Sequence, residues 1–463
     1  MRGAVDLTGS PSAVCRLLDR PYDWRVRAVE RIEMGSATSC VRRRSLLVAP
    51  LRDVLGGLLP RHGRIESARL TLPVASFPKG PLVDFDVTAA DQPAQLLPRA
   101  EIAELEAAYV ADLARQAGIA TNSRLQPVVA ALCGFDGAAW RATLADFDGN
   151  SNEALPAYLL DGLGEPVEPR NLERWRNYSV RIGRMLSERL GEPHDDTSAM
   201  ENPVLVVPWL FAGGIASSPT EATALLKDLH RFVDQAAAQQ SRNDLLPTAS
   251  NDLLLVMADY GRHWDAMVTC EVPLGEPFTI KTCDRRSLGL DSGTLQLGGL
   301  TGTQEVVLAD ARTNHVTLRS VDGGVIVTDV EAVALSSDEP VVMLPVSVSQ
   351  EPEVFAFYAS DPDRDYRARL RFRLRRSRPA QGITAAFILI VTLAFAAVVR
   401  AGNDVASLTL LVVPTTFAAS LLLSREQSSL SSRLKRMSSG ALATLLTFMW
   451  IYVAVLYLAG QVR

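Results

Sequence analysis

The feature that most constrains the fold is a group of three apolar segments near the end of the chain, at residues 383–399, 405–423 and 441–459, none with a charged side chain. At about 1.5 Å rise per residue, each segment would reach roughly 25–29 Å as a helix, close to the hydrocarbon thickness of a bilayer. A buried hairpin in a large core is the alternative. Three such segments, each flanked by charges, favour membrane spans instead. The sequence therefore predicts a C-terminal bundle of three transmembrane helices over residues 383–459.

The positions of the basic residues predict an orientation for this bundle. Lys and Arg near the ends of spans are retained on the cytoplasmic side. They are concentrated before the first segment and between the second and third, whereas only Arg400 and Arg463 lie at the opposite ends. The start of the chain has no uninterrupted apolar export signal. We therefore expect a multi-pass protein of the cell (plasma or inner) membrane, with the N-terminal bulk in the cytoplasm and the C-terminus outside.

Charge and cysteine content exclude several classes of protein. Residues 1–360 contain 33 Lys and Arg against 47 Asp and Glu, so this part of the chain is acidic and makes nucleic acid a poor partner. The five cysteines include no CxxC pair, and their odd number suits reduced thiols better than a disulfide framework or a zinc site. We expect neither a cofactor nor a metal.

Residues 1–262 have the pattern of an α+β domain. β-like runs separated by turns occupy residues 24–88, and residues 98–262 are mainly helical. Ile102, Leu105, Tyr109 and Leu113 fall on one helical face that ends at Gly118. A second amphipathic face runs from Leu172 to Leu190, and a third helix starts with a capping box formed by Ser218, Pro219 and Glu221.

Residues 265–377 change to a period of two, which is typical of strands. Seven or eight short runs rich in Val, Thr and Phe are separated by turn residues. Strands at this spacing predict an all-β, sandwich-like domain that would be placed directly against the bilayer. The glycines at residues 298–302 lack the strand-to-helix context of a dinucleotide site and are interpreted as a turn.

The last of these runs is an arginine ladder. Tyr366, Ala368, Leu370, Phe372 and Leu374 form an apolar face, and the alternate positions are all arginine. Charges on an edge strand discourage pairing with other chains, which is one explanation. The other is contact with anionic headgroups, to which each arginine would contribute roughly 1 kcal/mol. The predicted membrane-surface contacts are Arg367, Arg369, Arg371, Arg373, Arg375, Arg376 and Arg378.

Motifs that carry chemistry are absent or incomplete. The sequence contains no GxxxxGK[ST], HExxH or GxSxG motif. Residues 146–153 resemble the start of a calcium loop, but position six is Ser151 and position twelve is Ala157, so a polar loop is the better interpretation. His194, with two aspartates after it, lies in a Gly/Pro-rich stretch that suits a solvated loop. Asp84 and Asp86 share a strand face without a visible partner.

Three functional hypotheses follow. The first is a membrane-anchored cytoplasmic interaction or sensor protein without a visible catalytic site. The second is a ligand-triggered effector whose helices oligomerise and permeabilise the bilayer, and the third is a membrane-tethered enzyme with a site that one sequence does not reveal. The expected partners are the lipid bilayer with its anionic headgroups and a protein or small molecule bound by the cytoplasmic domains. Copies of the chain could also associate through the transmembrane helices.

Overall fold

The structure is a computed structural model of the whole chain. It describes residues 3–60, 65–80, 82–134, 166–190, 210, 215–240, 249–290, 299–307, 311–334, 354–359, 367–400, 412–413, 416–417 and 429–459.

Three β-sheets organise the described residues. The strands are β1 (Gly3–Leu7), β2 (Arg25–Met34), β3 (Ser39–Val48), β4 (Ile65–Pro78), β5 (Val83–Ala89), β6 (Gln92–Pro93), β7 (Gln95–Leu96), β8 (His263–Pro273), β9 (Phe278–Ser287), β10 (Gly289–Leu290), β11 (Leu300–Val307), β12 (Thr313–Ser320), β13 (Val325–Ala334), β14 (Val354–Ala359) and β15 (Arg367–Arg376). The large sheet has the order β14-β12-β2-β3-β9-β5-β6. The first small sheet is β1-β4-β8-β7 and the second small sheet is β10-β11-β15-β13.

Strands from the beginning and the end of the chain share two of these sheets. In the large sheet, β2 pairs in parallel with β12, and β3 pairs antiparallel with β9. In the first small sheet, β4 pairs antiparallel with β8. The predicted arrangement of an α+β domain followed by a separate all-β, sandwich-like domain is therefore wrong. Most of the predicted strands form among the described residues, but the sequence pattern does not reveal that the partners of β2, β3 and β4 lie 185 to 286 residues away.

The described residues also form ten helices. Their bounds are α1 (Pro11–Asp19), α2 (Pro21–Trp24), α3 (Arg52–Leu55), α4 (Arg99–Gln116), α5 (Leu125–Gly134), α6 (Pro169–Leu190), α7 (Pro219–Gln240), α8 (Ala249–Arg262), α9 (Arg378–Arg400) and α10 (Ser429–Leu458). Helices α4 to α8 share one hydrophobic core, which includes Trp175, Leu226 and Leu254. The three amphipathic faces predicted from the sequence are confirmed in α4, α6 and α7.

The start of α7 confirms the predicted N-cap, with one change in its partners. The backbone N–H of Glu221 donates to the hydroxyl of Ser218 at 3.3 Å. The Glu221 carboxylate accepts from the backbone and hydroxyl of Ser217, one residue before the N-cap, at 2.8 and 2.7 Å. These hydrogen bonds lower the pKa of Glu221 and fix the first turn of the helix.

Two hydrophobic cores lie on one face of the large sheet. The first core joins Ala28, Leu46 and Ile280 of the large sheet to apolar side chains of the first small sheet, such as Leu70 and Val268. The second core joins Ile32, Cys40 and Leu318 of the large sheet to Leu370 and Phe372 of the second small sheet. The two small sheets thus cover adjacent halves of the same face of the large sheet. A strip of this face between the two cores is not covered by either core.

The C-terminal helices do not support the predicted transmembrane bundle. Val391 of α9 packs with Val412 and with Leu446 and Met449 of α10 in a small core, so part of the apolar surface is used within the chain. The segment 405–423 lies mostly outside the described residues. Among the described residues, no helix meets the length and apolarity needed to cross a membrane. This finding contradicts the predicted bundle at residues 383–459 and the multi-pass membrane location.

Other apolar side chains of α9 and α10 are nevertheless exposed to solvent. Leu389 and Leu393 on α9 are more than half exposed, as are Phe448 and Val455 on α10. The effector hypothesis, in which these helices permeabilise a bilayer, depended on the predicted spans.

Candidate ligand-binding cleft

A band of charged side chains interrupts the apolar face of the large sheet between the two cores. Glu30 on β2 follows Ala28 and precedes Ile32 at the same spacing of two residues, so its side chain points to the core side. Arg42 and Arg44 on β3 lie between Cys40 and Leu46 in the same way. The strand register places Arg44 opposite both Glu30 and Thr282, and Arg42 opposite Asp284.

This charged band forms the floor of a shallow cleft that is partly open to solvent and whose enclosed part has a volume of about 20 Å³. The end of β4, the first residue of β8 and the end of β11 form its walls, so all three sheets contribute. The lining residues are Glu30, Arg42, Arg44, Ala75, Ser76, Phe77, Pro78, His263, Thr282, Asp284, Arg286, Glu305, Val306 and Val307.

Arg42 is held on the floor by partners from two sheets. Its guanidinium forms an ion pair and a hydrogen bond with the carboxylate of Glu30, and both side chains are buried. A second nitrogen of Arg42 donates to the backbone carbonyl oxygen of Glu305 on β11 at 3.0 Å. Arg42 therefore joins the large sheet to the second small sheet, and its charge is balanced within the protein.

Arg286 has fewer partners than Arg42. Its Nε donates to the Asp284 carboxylate at 2.7 Å, and its guanidinium lies over the Phe77 ring, 4.5 Å from the centroid. Burial, with a further contribution from the charge of Arg42, lowers the pKa of Arg286 to about 10. Among the described residues, no hydrogen bond is formed by the two terminal nitrogens of Arg286 or by the Thr282 hydroxyl, and none of these atoms is fully shielded from solvent.

His263 forms one wall of the cleft and is flanked by two carboxylates. Its Nδ1 is 3.0 Å from Asp259 on α8, and its Nε2 is 3.6 Å from the Glu305 carboxylate on β11. The other oxygen of that carboxylate is 3.7 Å from Arg369. Glu305 is thus placed between the cleft and the arginine ladder.

The donor set of the cleft suits recognition of a polar molecule rather than ligation of a metal. Carboxylates and guanidinium groups are present in matched pairs, and unused N–H and O–H donors remain at Arg286 and Thr282. Among the described residues, no three His, Cys, Asp or Glu side chains are close enough to hold a metal ion. The five cysteines are free thiols, and burial raises the pKa of four of them, Cys15, Cys40, Cys133 and Cys270.

The arginine ladder has the alternation that the sequence predicts. Leu370, Phe372 and Leu374 are buried in the second core, and the arginines between them are partly exposed on the other face. The position of the strand differs from the edge-strand explanation, because β15 lies between β11 and β13 and both neighbours hydrogen-bond to it. A central strand has no free edge to protect, so that explanation is wrong.

Four of the predicted contact residues, Arg369, Arg371, Arg373 and Arg375, alternate with the buried side chains along β15. Arg369 faces Glu305 at 3.7 Å, while Arg373 and Arg375 face Asp329 at 3.9 and 2.9 Å. Arg371 is paired in register with Thr303 and Glu331. Arg367 is the backbone partner of Val307 on β11. Arg376 is the last residue of β15, and Arg378 is the exposed first residue of α9.

Other sequence candidates do not join the cleft. The calcium-like residues 146–153 and the stretch around His194 lie outside the described residues. Asp84 is exposed and forms an ion pair with Arg285 at 3.1 Å, and Asp86 is placed opposite Cys283. These two aspartates are therefore on the outer side of β5 and not in a shared acid–base site.

Sequence reasoning missed the residues of the cleft. Their signal is a charged residue at a position where the period of two requires an apolar one, as at Glu30 between Ala28 and Ile32. In β3 the signal is hidden, because the three consecutive residues Arg42, Arg43 and Arg44 place arginine on both faces of the strand. Comparison of the chain with protein-family models, curated proteins and solved structures finds no significant match.

Proposed function

We propose that the protein is an interaction or sensor protein that binds a small molecule in the cleft between the three sheets. The observation that carries this proposal is the charged band on the core side of the large sheet, which lies between the two hydrophobic cores and opens into a cleft lined by all three sheets. A concave site with a few convergent polar groups is the usual form of a small-molecule site.

The position of the cleft suits a sensor. A ligand would contact β9 of the large sheet, the end of β4 in the first small sheet and β11 of the second small sheet together. Its binding free energy would therefore favour the arrangement of sheets in which all three walls are in place. His263 also connects the wall to α8 through Asp259, so occupancy would be coupled to the helical layer.

Thermal denaturation of the full chain in the presence of a library of small metabolites tests this function. Ligands of the native state raise the melting temperature by mass action. We expect protection of the wild-type protein and its loss in Val307→Trp, because the indole fills the mouth of the cleft. Val321→Trp is the matched control, since Val321 is 61% exposed and outside the cleft lining. Equal protection of both variants would place binding elsewhere and refute the proposal.

A second candidate function is contact of the arginine ladder with anionic headgroups. The observation in its favour is the central position of β15, which leaves four partly exposed arginines, Arg369, Arg371, Arg373 and Arg375, in the middle of a sheet face. Three carboxylates, Glu305, Asp329 and Glu331, share this face, so a net positive charge remains for an anionic partner. Each arginine near an anionic surface contributes roughly 1 kcal/mol, and salt screens the attraction beyond about 10 Å.

Flotation of the full chain with phosphatidylcholine vesicles, with and without phosphatidylserine, tests this second function. Changing Arg369, Arg371 and Arg373 to Gln should weaken binding to the anionic vesicles by up to about 100-fold at low salt, because about 3 kcal/mol of attraction is removed. The control variant carries Gln at Arg27, Arg31 and Arg285, which are exposed on the other face of the large sheet. Equal weakening in both variants would show a general charge effect and exclude the ladder as the contact.

A further inference from the structure

We infer that the molecule bound in the cleft carries a carboxylate or phosphate group, and that this group binds the two terminal nitrogens of Arg286. The inference rests on the proposed small-molecule function and names the chemistry of its ligand. It follows from three features of Arg286: its fixed orientation, its unused donors and the charge around it.

The orientation of Arg286 is fixed on two sides. Phe77 lies under the plane of the guanidinium at 4.5 Å, and Asp284 accepts from Nε at 2.7 Å. Phe77 is itself held by Trp264 and Phe85, with ring centroids 5.7 and 5.6 Å away. A guanidinium anchored by its Nε and its face presents the remaining edge as a planar pair of donors. That edge matches the two oxygens of a carboxylate or phosphate.

Arg286 is accessible from the cleft. Its side chain is 18% exposed and lines the cleft, and its terminal nitrogens are not used within the described residues.

The formal charges of the three arginines and three carboxylates that line the cleft balance, so the preference for an anion depends on how these groups are paired. Glu30 and Asp284 already accept charged hydrogen bonds from Arg42 and Arg286, so neither carboxylate is available as an unpaired counter-ion. The positive charge of Arg42 disfavours that of Arg286, which is one reason for the lowered pKa of Arg286. A bound anion would relieve this repulsion, whereas a bound cation would add to it.

Binding of simple anions to the full chain tests the inference. Sodium phosphate and sodium acetate serve as probes in thermal denaturation, each compared with sodium chloride at equal ionic strength. The phosphate and acetate arms distinguish the two ligand chemistries. We expect at least one of them, or an acidic member of the metabolite library, to protect the wild-type protein. Arg286→Lys should bind that compound at least tenfold more weakly, because lysine keeps the charge and loses the planar pair of donors.

The matched control is Arg285→Lys, the next residue on β9, whose side chain points to the opposite face and pairs with Asp84. This variant should bind as the wild type does. If Arg286→Lys does not fold, as judged by circular dichroism, Phe77→Leu removes only the ring under the guanidinium and should still weaken binding several-fold.

Two results would overturn the inference. One is that no acidic compound protects the protein beyond the sodium chloride control, and the other is that Arg286→Lys binds with unchanged affinity. In either case, protection by neutral compounds that is lost in Val307→Trp would leave the proposed function intact. Loss of all protection would refute both.

Discussion

Arg42 and Glu30 form an ion pair in which both partners are shielded from solvent, with side-chain exposures of 6% and 5%. The pair lies on the floor of the cleft, between the first and second hydrophobic cores. Its desolvation is costly, and its geometry is maintained by the additional hydrogen bond from Arg42 to the Glu305 carbonyl on β11. The stability of the large sheet therefore depends on both charges of this pair being present.

Removing the negative partner should expose this dependence. Glu30→Gln leaves the Arg42 charge buried without its counter-ion, so we expect the free energy of unfolding to fall by about 3–5 kcal/mol. Urea denaturation followed by circular dichroism measures the change. Asp91→Asn is the control, because its ion pair with Lys281 at 3.0 Å is exposed and should contribute about 0–1 kcal/mol. Similar losses in both variants would contradict the special role of the buried pair.

A second buried carboxyl makes stability depend on pH. Glu106 on α4 accepts from the backbone N–H of Asp265 at 2.8 Å, and its other oxygen is buried without a hydrogen-bond partner among the described residues. Burial raises its pKa to about 8, with Asp265 adding to the shift and Lys79 and Arg99 opposing it. Cys133 and Tyr260, on α5 and α8, also face this group, and the pKa values of both are raised mainly by burial.

The sign of the pH effect follows from this raised pKa. The folded protein retains the Glu106 proton at a pH where the unfolded chain, with a pKa near 4.5, has lost it. The stability contributed by Glu106 is therefore complete below pH 4.5 and is lost as the pH rises towards about 8.

Glu106→Gln should remove this dependence on pH. We expect the slope of the unfolding free energy against pH between 4.5 and 8 to become less negative, by up to about 1.4 kcal/mol per pH unit. Glu104→Gln, on the exposed side of the same helix, should leave the slope unchanged. An unaltered slope in Glu106→Gln would show that another group causes any pH dependence observed.

The sequence predicted local structure better than long-range pairing. The alternation of arginine with Leu370, Phe372 and Leu374 defines both the strand and its buried face, because a period of two is a local property. The strand that pairs with β2 could not be predicted in this way. Nothing in residues 25–34 indicates that they pair in parallel with residues 313–320, since pairing depends on the complementarity of two distant surfaces.

The cleft was missed for a related reason. Charged residues on a strand normally indicate a solvated face, and Arg42, Arg43 and Arg44 show no contrast between the two faces of β3. The structure separates them: Arg42 is buried against Glu30, while Arg43 is 54% exposed and pairs with Glu33. Only the tertiary arrangement identifies Arg42 and Arg44 as the arginines of this run that belong to the candidate site.

The second small sheet provides a test of close packing. Gly302 on β11 is paired in register with Phe372 on β15, and a Cβ atom at this glycine would lie 2.6 Å from the Phe372 ring. Phe372 is buried in the second core and has little room to move. Gly302→Ala should therefore destabilise the protein by about 1–3 kcal/mol, as measured by urea denaturation.

Gly323 supplies the control for this packing prediction. A Cβ atom at Gly323 would have no neighbour within 4 Å, so Gly323→Ala should change stability by less than about 0.5 kcal/mol. If Gly302→Ala is equally neutral, Phe372 has space to shift, and close packing is not the reason for glycine at this position.

The helical layer has its own polar link, between Trp175 on α6 and Thr223 on α7. The buried indole N–H donates to the Thr223 hydroxyl at 2.8 Å, and that hydroxyl donates to the Pro219 carbonyl at 2.7 Å in the first turn of α7. Thr223→Val keeps the shape of the side chain but leaves the indole N–H without its acceptor. We expect a loss of about 1–3 kcal/mol in the free energy of unfolding.

A double-mutant cycle separates this hydrogen bond from packing. Trp175→Phe removes the donor and some buried area. Once this change is made, Thr223→Val should cost less than in the wild-type protein, because no indole N–H remains to be left unpaired. Thr220→Val, at an exposed position of the same helix, should have little effect in either background. Additive losses for the pair at 175 and 223 would mean that the two side chains stabilise the layer independently.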